Sequence, residues 1–273
     1  MPKAWFVFAV LLPLLCFSQA DRPVTLRIDH IPIAVKDIDA VKRLLKDTLG
    51  FTIKEGRHHE GIYNCFTKFE NGSYLEFVTP EDTSYAIGKF YYNFLQVRQG
   101  ATAIAIAVNN AANTAAWLQR HNIDCKKSVN PVWTTVELTD SFPSLFFIEY
   151  ADKNWKDTKQ NTTHINTAEK LATAWYAVDD IHAAEAAFAK LGIITIQRNF
   201  MQSVIVDAVV GSNKLRLIRS FEKKEGVYNF VHQYERGIYG VTIRVHDIMP
   251  IKPCWLKTIF SLLMYTPKLL ACF

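Results

Sequence analysis

Two glutamates stand inside strand-like apolar runs, where a carboxylate is unusual. Glu149 interrupts the run Phe146-Phe147-Ile148-Glu149-Tyr150, and Glu76 lies within Tyr74-Leu75-Glu76-Phe77. Burying an unpaired carboxylate is expensive, so each group needs a metal ion, a cation or a proton to compensate its charge. Pairing with Arg57 or Lys68 is a structural alternative to a metal ion. The spacing of the two glutamates indicates that they belong together.

The spacing is measured from a short sequence phrase that recurs four times. In each copy an apolar run ends in valine, and an Asp or Asn follows within a few residues. The four valines are Val35, Val108, Val178 and Val245. They recur at nearly equal intervals along the chain, and so regular a period indicates one structural unit copied several times. Glu76 follows Val35 at the same offset at which Glu149 follows Val108. We therefore expect the two carboxylates at matching places in two copies.

The first copy shows most clearly what the unit is. Asp37 is placed to cap an amphipathic helix that begins at Ile38, and Gly50 to end it. Asn71-Gly72 predicts a hairpin turn between the last two strands. The predicted strands are residues 26–35, a run that begins at 51–53, and residues 64–70 and 74–79. The unit is thus strand, helix and three strands.

The second and third copies repeat this order, and the fourth is incomplete. Strands are predicted at 101–108, 133–138 and 145–150 around a helix at 111–121, and at 172–178, 203–210 and 215–219 around a helix at 181–191. The stretch after Val245 is too short for a helix and three strands. We expect a domain of two units at 21–151, a polar linker at 152–166, and a degenerate second pair at 167–273. The apolar end of that pair, from Cys254, is interpreted as a helix covering a sheet edge.

The first twenty residues have the character of an export signal. Lys3 precedes the apolar run from Phe6 to Phe17, and Ser18-Gln19-Ala20 fits a signal-peptidase site. The sequence therefore predicts cleavage near Ala20 and a periplasmic or secreted protein, with no membrane span after cleavage.

Composition excludes some classes of partner. The 31 basic and 26 acidic residues are not concentrated into a stripe, which argues against nucleic-acid binding. A glycine-rich phosphate loop, a serine elbow and a Cys-His pair do not stand out, so nucleotide cofactors and acyl transfer are not expected. A small-molecule ligand remains, and the oligomeric state stays open.

The repeated unit resembles that of the vicinal oxygen chelate superfamily, most closely its glyoxalase-like branch, which includes glyoxalases, bleomycin-resistance proteins and dioxygenases. The residues that carry the resemblance are Ile28 to Asp37, Leu49 to Phe51, Gly56 to Gly61 and Asn71 to Phe77. The resemblance implies an α+β fold in which βαβββ modules pair into curled mixed sheets. Such a pair forms a cup with a divalent metal ion at its floor.

In that superfamily the metal ligands come from the first and last strands of each unit. The resemblance therefore implies His30, Glu76 and Glu149 as ligands, whereas Ala103 leaves the fourth position empty. One imidazole and two carboxylates suit Fe²⁺, Mn²⁺, Zn²⁺ or Ni²⁺ and leave positions open for substrate. Glu76 or Glu149 would also move a proton during catalysis. The third copy has Thr173 and Arg219 at the matching positions, so a metal site is not expected there.

Five further residues are candidates for substrate binding at the cup. Arg57, His58 and His59 lie on a polar stretch predicted to be a loop, and Asn64 and Trp133 begin predicted strands. An exposed polar loop would have the same composition without binding anything, and Trp133 could fill the core.

Three functions fit these features. The first is a divalent-metal-dependent isomerase, lyase or dioxygenase that acts on a small substrate with two neighbouring oxygens. The second is a metal-free protein that binds or sequesters a small hydrophobic or acidic molecule in the same cup. The third is a scaffold with a filled cup.

Overall fold

The computed structural model describes residues 22–139, 144–153, 156–200, 203–220 and 226–247. The predicted export signal at 1–20 and the apolar tail from Cys254 lie outside the described residues, so both stay predictions. Among the described residues, no helix is both long and apolar enough to cross a membrane.

Three βαβββ units follow one another along the described part of the chain. The first consists of β1 (Thr25–Ala34), α1 (Ile38–Arg43, continued by a π-helical turn at Leu44–Thr48), β2 (Lys54–His59), β3 (Ile62–Lys68) and β4 (Tyr74–Pro80). After α2 (Ala86–Val97) and β5 (Gly100–Ala101), the second consists of β6 (Ile104–Val108), α3 (Ala111–Arg120), β7 (Cys125–Val129), β8 (Trp133–Leu138) and β9 (Leu145–Tyr150).

The third unit follows the short helix α4 (Lys159–Thr162). It consists of β10 (Ala168–Ala177), α5 (Ile181–Lys190), β11 (Thr195–Phe200), β12 (Ser203–Val210) and β13 (Asn213–Ser220). Helix α6 (Gly226–Tyr234) and strand β14 (Gly237–Val245) come after it. Strand β14 is the described part of the fourth copy.

The strands form two mixed sheets with the same internal plan. The first has nine strands, in the order β2-β3-β4-β1-β6-β9-β8-β7 with β5 paired to β1; the second has five, in the order β11-β12-β13-β10-β14. In each of the three units the first strand runs parallel to the last. The first strands of the first and second copies, β1 and β6, pair antiparallel, and so do those of the third and fourth copies, β10 and β14. The first two units therefore share one continuous sheet, and the predicted α+β architecture of paired modules is confirmed.

The recurring phrase begins a helix in each complete unit. The side chain of Asp37 accepts a hydrogen bond from the Ala40 amide, and Asn110 accepts one from the Asn113 amide. Asp180 accepts hydrogen bonds from the amides of His182 and Ala183. These N-caps satisfy donors that a helix start leaves without partners. The repeat seen in the sequence is therefore a strand followed by a capped helix.

Several elements differ from the sequence predictions. The stretch around Arg57 to His59, predicted to be a loop, belongs to β2, and the turn is made by Glu60 and Gly61, both with positive φ. Helices α2 and α6 were not predicted because they lie between the copies. Strands β7 and β11 are rich in polar residues, so they lack the apolar alternation that identifies a strand.

One hydrophobic core runs from the first sheet to the second. It includes residues of β1, α3, α5 and β10 in a single cluster. Buried polar contacts join the two sheets as well, since Asn213 accepts a hydrogen bond from the Ile28 amide at 3.1 Å. The predicted domain boundaries at 151 and 167 stay a prediction.

His164, in the predicted linker, is part of this junction. It is buried, its Nδ1 accepts a hydrogen bond from the Thr52 amide at 3.0 Å, and its Nε2 lies 2.8 Å from the Lys68 carbonyl oxygen, to which it donates. Burial lowers the pKa of His164, although the Lys68 carbonyl and the Glu70 charge favour the protonated form. A proton on Nδ1 would remove the acceptor that Thr52 needs.

This geometry predicts a pH-dependent stability. The unfolded chain protonates His164 near its ordinary pKa of 6.5, whereas the folded chain keeps it neutral. Its stabilising contacts are therefore fully present above that pH and are lost progressively below it. We expect His164→Ala to lower the free energy of unfolding by about 2–3 kcal/mol at pH 7.5 and by less at pH 5.5.

Urea denaturation at the two pH values measures this difference. His182→Ala, at an exposed position on α5, is the matched control and should keep the pH dependence of the wild type. An equal loss of stability in His164→Ala at both pH values would contradict the assignment.

Candidate functional site

A cluster of polar side chains lies on one face of the nine-stranded sheet, around His30 in β1. We call the face that carries His30, Glu76 and Phe146 the cup face. The opposite face packs against α1 and α3 and is called the helix face. A bulge interrupts the pairing of β1 with β6 between Ile28 and His30. Such a bulge re-aims side chains at one point of a strand.

Asp29, at this bulge, is fully buried and accepts hydrogen bonds from three side chains. Its Oδ1 lies 2.8 Å from Nδ1 of His30 and 2.8 Å from the Tyr150 hydroxyl, and its Oδ2 lies 2.8 Å from Nη2 of Arg27. Burial alone would raise the pKa of Asp29, but the His30 hydrogen bond, the charges of His30 and Arg27 and the Tyr150 hydroxyl together lower it. The carboxylate is therefore ionised and holds the His30 ring in place.

Glu76 lies on the other side of His30. Its Oε2 is 3.9 Å from His30 Nε2, and its Oε1 accepts a hydrogen bond from Asn64 Nδ2 at 2.8 Å. Asn64 is itself held, because its Oδ1 accepts a hydrogen bond from the Arg57 amide at 3.0 Å. The Tyr74 ring stacks on His30 with 4.5 Å between centroids. The structure thus brings three predicted site residues, His30, Glu76 and Asn64, into one cluster.

Glu149 does not reach this cluster. Phe146, on the same strand, contacts His30 edge-on at 5.5 Å between ring centroids. Successive side chains of a strand point to opposite faces, so Glu149 points to the helix face. There its Oε2 accepts a hydrogen bond from the Ala111 amide at 2.7 Å, and its Oε1 accepts one from Lys153. The expectation that Glu149 lies beside His30 and Glu76 is therefore wrong.

The carboxylate of Glu149 has a structural role at the start of α3. Burial would raise the pKa of Glu149, but the Ala111 amide and the Lys153 ammonium outweigh it and lower the pKa. Ala111 is the first residue of α3, so the negative charge also lies at the positive end of the helix dipole. A helix start and a lysine, and not a metal ion, compensate this charge.

Glu76 follows Val35 by the same number of residues as Glu149 follows Val108, but Glu149 is not the structural counterpart of Glu76, because the two units differ in length. Across the parallel pairing of β1 and β4, Glu76 lies opposite Pro32, three residues before Val35. The residue three before Val108 is Ala105, and its partner on β9 is Phe146. The chain between these strands is three residues longer in the first unit. Phe146 is therefore the structural counterpart of Glu76.

The third unit has the shorter spacing too. Trp175, three residues before Val178, lies opposite Arg216, so Arg216 is the counterpart of Glu76, and the match of Arg219 to this position was wrong. Arg216 donates two hydrogen bonds to Asp207, at 2.6 and 3.0 Å. This position is thus engaged in an internal ion pair.

The predicted three-ligand metal site does not fit this arrangement. His30 and Glu76 face one another, but Phe146 and Ala103 occupy the positions from which the second unit would supply ligands. Within the described residues, no group of three or more His, Cys, Asp or Glu side chains is placed to hold a metal ion. The donor set is incomplete for a Zn²⁺ or Fe²⁺ centre, which takes at least three protein ligands in catalytic sites.

The remaining candidates differ in their distance from the cluster. The side chains of Arg57 and His58 are exposed, and His58 stacks on Tyr63 and contacts Glu81. His59 Nε2 lies 3.4 Å from Asn64 Nδ2, at the edge of the cluster.

Trp133, the other substrate-binding candidate, starts β8. It lies opposite Tyr150, and directly paired residues share a face. Because Tyr150 reaches Asp29 in the cluster, Trp133 lies on the cup face.

Lys68 is a component of the site that sequence reasoning did not assign. It is buried, with Nζ 3.2 Å from the centroid of the Tyr74 ring and 4.5 Å from that of Phe66. Burial, with the nearby Lys54 charge, lowers the pKa of Lys68 to about 8. Asp29 and Tyr150 were missed as well. Asp29 had one available signal, since it is a charged residue inside the apolar run of β1.

The position of Glu149 predicts a variant that affects stability alone. Glu149→Gln keeps an oxygen for the Ala111 amide but loses the charge that pairs with Lys153 and with the helix dipole. We expect a loss of about 1 kcal/mol in the free energy of unfolding, measured by urea denaturation. Glu137→Gln, on the exposed part of β8, should change it by less than about 0.5 kcal/mol. Equal stability of the two variants would contradict the capping role.

Comparisons with known proteins agree with this fold. The family model described as "Glyoxalase-like domain" matches residues 28–192. No curated protein matches the chain. Among solved structures, a hypothetical protein from Staphylococcus aureus is similar at 14% identity and a TM-score of 0.56, over 71% of this chain and 86% of that one.

Two further structures are similar over more of the chain. A mutant of 4-hydroxymandelate synthase from Streptomyces coelicolor has 12% identity and a TM-score of 0.60, over 83% of this chain and 72% of that one. A xylose isomerase-like TIM barrel/4-hydroxyphenylpyruvate dioxygenase fusion protein has 15% identity and a TM-score of 0.62, over 93% of this chain and 41% of that one. At these identities the likeness concerns the fold. The family match, which runs from the first unit into the third, shows that the chain belongs to the glyoxalase-like domain family. The likeness in fold agrees with the predicted resemblance to the vicinal oxygen chelate superfamily.

Proposed function

We propose that this chain binds a small molecule in its cup through protein groups alone, without a metal ion. The observation that carries the proposal is the divergence of the first two units at one strand position. The first unit places Glu76 beside His30, whereas the second unit places Phe146 there. A metal ion would have two protein ligands at this point, and an apolar ring would occupy the place of the third.

The polar wall of the cup offers hydrogen-bond acceptors. Because the ionised Asp29 accepts from His30 Nδ1, that nitrogen carries a proton, and Nε2 is the ring nitrogen left to accept from a ligand. Glu76 Oε2 lies 3.9 Å from this nitrogen, while Asn64 engages the other carboxylate oxygen. Two acceptors at this separation suit a ligand with two neighbouring hydroxyl groups, which donate directly.

The wall from the second unit is apolar. Phe146 contacts His30, and Ile148 and Tyr150 follow it on the same face by the alternation of β9. Ala105 on β6 pairs with Phe146 and lies on the same face. Its side chain is small, so it fills little of the space beside Phe146. The ligand that fits both walls has adjacent hydroxyl groups at one end and an apolar or aromatic body.

The rival function is a divalent-metal-dependent lyase, isomerase or dioxygenase of this superfamily. One feature favours it: a ligating histidine commonly donates its other ring nitrogen to a carboxylate, as His30 does to Asp29. The same hydrogen bond orients a histidine that accepts from a ligand. The two functions differ in whether binding requires a metal ion, and one experiment can separate them.

Catechol is a suitable probe, with 1,2-dimethoxybenzene as the isostere that lacks donors. We expect calorimetry to show catechol binding in the presence and absence of EDTA, and at least about tenfold weaker binding of the dimethoxy compound, a difference of about 1.4 kcal/mol. Glu76→Gln should weaken catechol binding by about five- to tenfold, because it replaces a charged acceptor.

Glu149→Gln is the matched control, since it makes the same chemical change on the helix face and should leave catechol binding unchanged. Loss of catechol binding in EDTA would support the metal-dependent rival. Equal affinity for the two compounds, or equal loss in both variants, would contradict the proposed acceptor pair.

A further inference from the structure

Arg98, which directly follows α2, is enclosed by aromatic rings. Its guanidinium carbon lies 5.2 Å from the centroid of Phe94, 4.9 Å from that of Phe230 and 4.9 Å from that of Tyr234. Phe230 and Tyr234 belong to α6, so the guanidinium lies between the two helices that separate the copies. Cation–π contacts stabilise a cation in such a place but satisfy few of its N–H groups.

One nitrogen of this guanidinium lacks a hydrogen-bond partner. Nη1 of Arg98 is buried, and no group in the described residues accepts a hydrogen bond from it. A buried donor without an acceptor lowers the stability of the fold, and more so when it is charged. Burial also lowers the pKa of Arg98, partly offset by Tyr234 and Tyr176. The structure therefore holds a half-buried cation whose hydrogen-bonding capacity is not used up.

A cavity of about 300 Å³ adjoins this guanidinium. It is lined by Lys36, Val97, Arg98, Gln99, Gln233 and Tyr234. Two of these side chains are cations, and none is a carboxylate. The Gln99 side-chain oxygen accepts a hydrogen bond from the Lys36 amide at 2.7 Å, which leaves its NH₂ group as a donor. The lining is thus positive and rich in donors.

The backbone of β14 leaves room for this arrangement. A Cβ atom on Gly237, the first residue of β14, would lie 2.7 Å from Nη2 of Arg98. A side chain at this position would require the guanidinium end of Arg98 to shift. The glycine thus leaves room for the observed position of Arg98.

We propose that this cavity binds a small oxyanion, a carboxylate or a phosphate group, with Arg98 and Lys36 as its cationic ligands. An oxyanion accepts from several N–H groups at once, and the planar guanidinium presents donors in a fixed geometry that matches such a group. The anion would accept from the guanidinium of Arg98 and would compensate the charge of Lys36. This site is separate from the cup and does not depend on the function proposed for the cup.

Inorganic phosphate and acetate are the probes, titrated into the full chain by calorimetry at constant ionic strength. We expect saturable binding of at least one of them by the wild type. Binding of phosphate alone assigns the site to a phosphoryl group, and binding of both assigns it to oxyanions in general. Arg98→Gln should weaken binding at least tenfold, and Lys36→Gln about threefold.

Lys36→Gln keeps the test valid if Arg98→Gln does not fold, because the side chain of Lys36 is exposed. Lys89→Gln, an exposed lysine on α2, removes the same charge away from the cavity and should bind as the wild type does. No saturable binding of either ion, or equal weakening by Lys36→Gln and Lys89→Gln, would overturn the proposal.

Discussion

The site depends on the compensation of one fully buried carboxylate. Asp29 has no contact with solvent, so its charge requires donors from the protein. Arg27 and His30 provide them from the same strand, and Tyr150 provides one from β9 in the second unit. This network fixes the tautomer of His30 and joins the two units at the floor of the cup. The acceptor that we propose His30 offers to a ligand follows from that constraint.

The same strand position has taken a different role in each unit. Glu76 faces His30, Phe146 forms an apolar wall, and Arg216 is held by Asp207 in an internal ion pair. The copied fold therefore does not imply a copied site. The cup face of the first two units carries polar groups on one side and an apolar ring on the other, and this is our reason for proposing an amphipathic small molecule as its ligand.

The sequence predicts the fold better than the site, for a physical reason. The phrase ending in Asp37, Asn110 and Asp180 marks a strand followed by an N-cap, and both features are local. Which residues lie opposite one another in a parallel pair of strands depends on the length of the chain that connects the two strands. A repeated sequence phrase does not reveal that length. His30, Glu76 and Asn64 were found from one unit. Glu149 was misplaced because its assignment assumed equal lengths in two units.

The most direct test of metal-free binding is an NMR measurement on the His30 ring of the ¹⁵N-labelled protein, with Zn²⁺ added to one equivalent. We predict a proton on Nδ1 and no change in the Nε2 resonance of the wild type. Phe146→Glu, which adds a third carboxylate on the cup face, should give a protein whose Nε2 resonance shifts under the same conditions. A shift of the wild-type Nε2 resonance at one equivalent of Zn²⁺ would contradict the account.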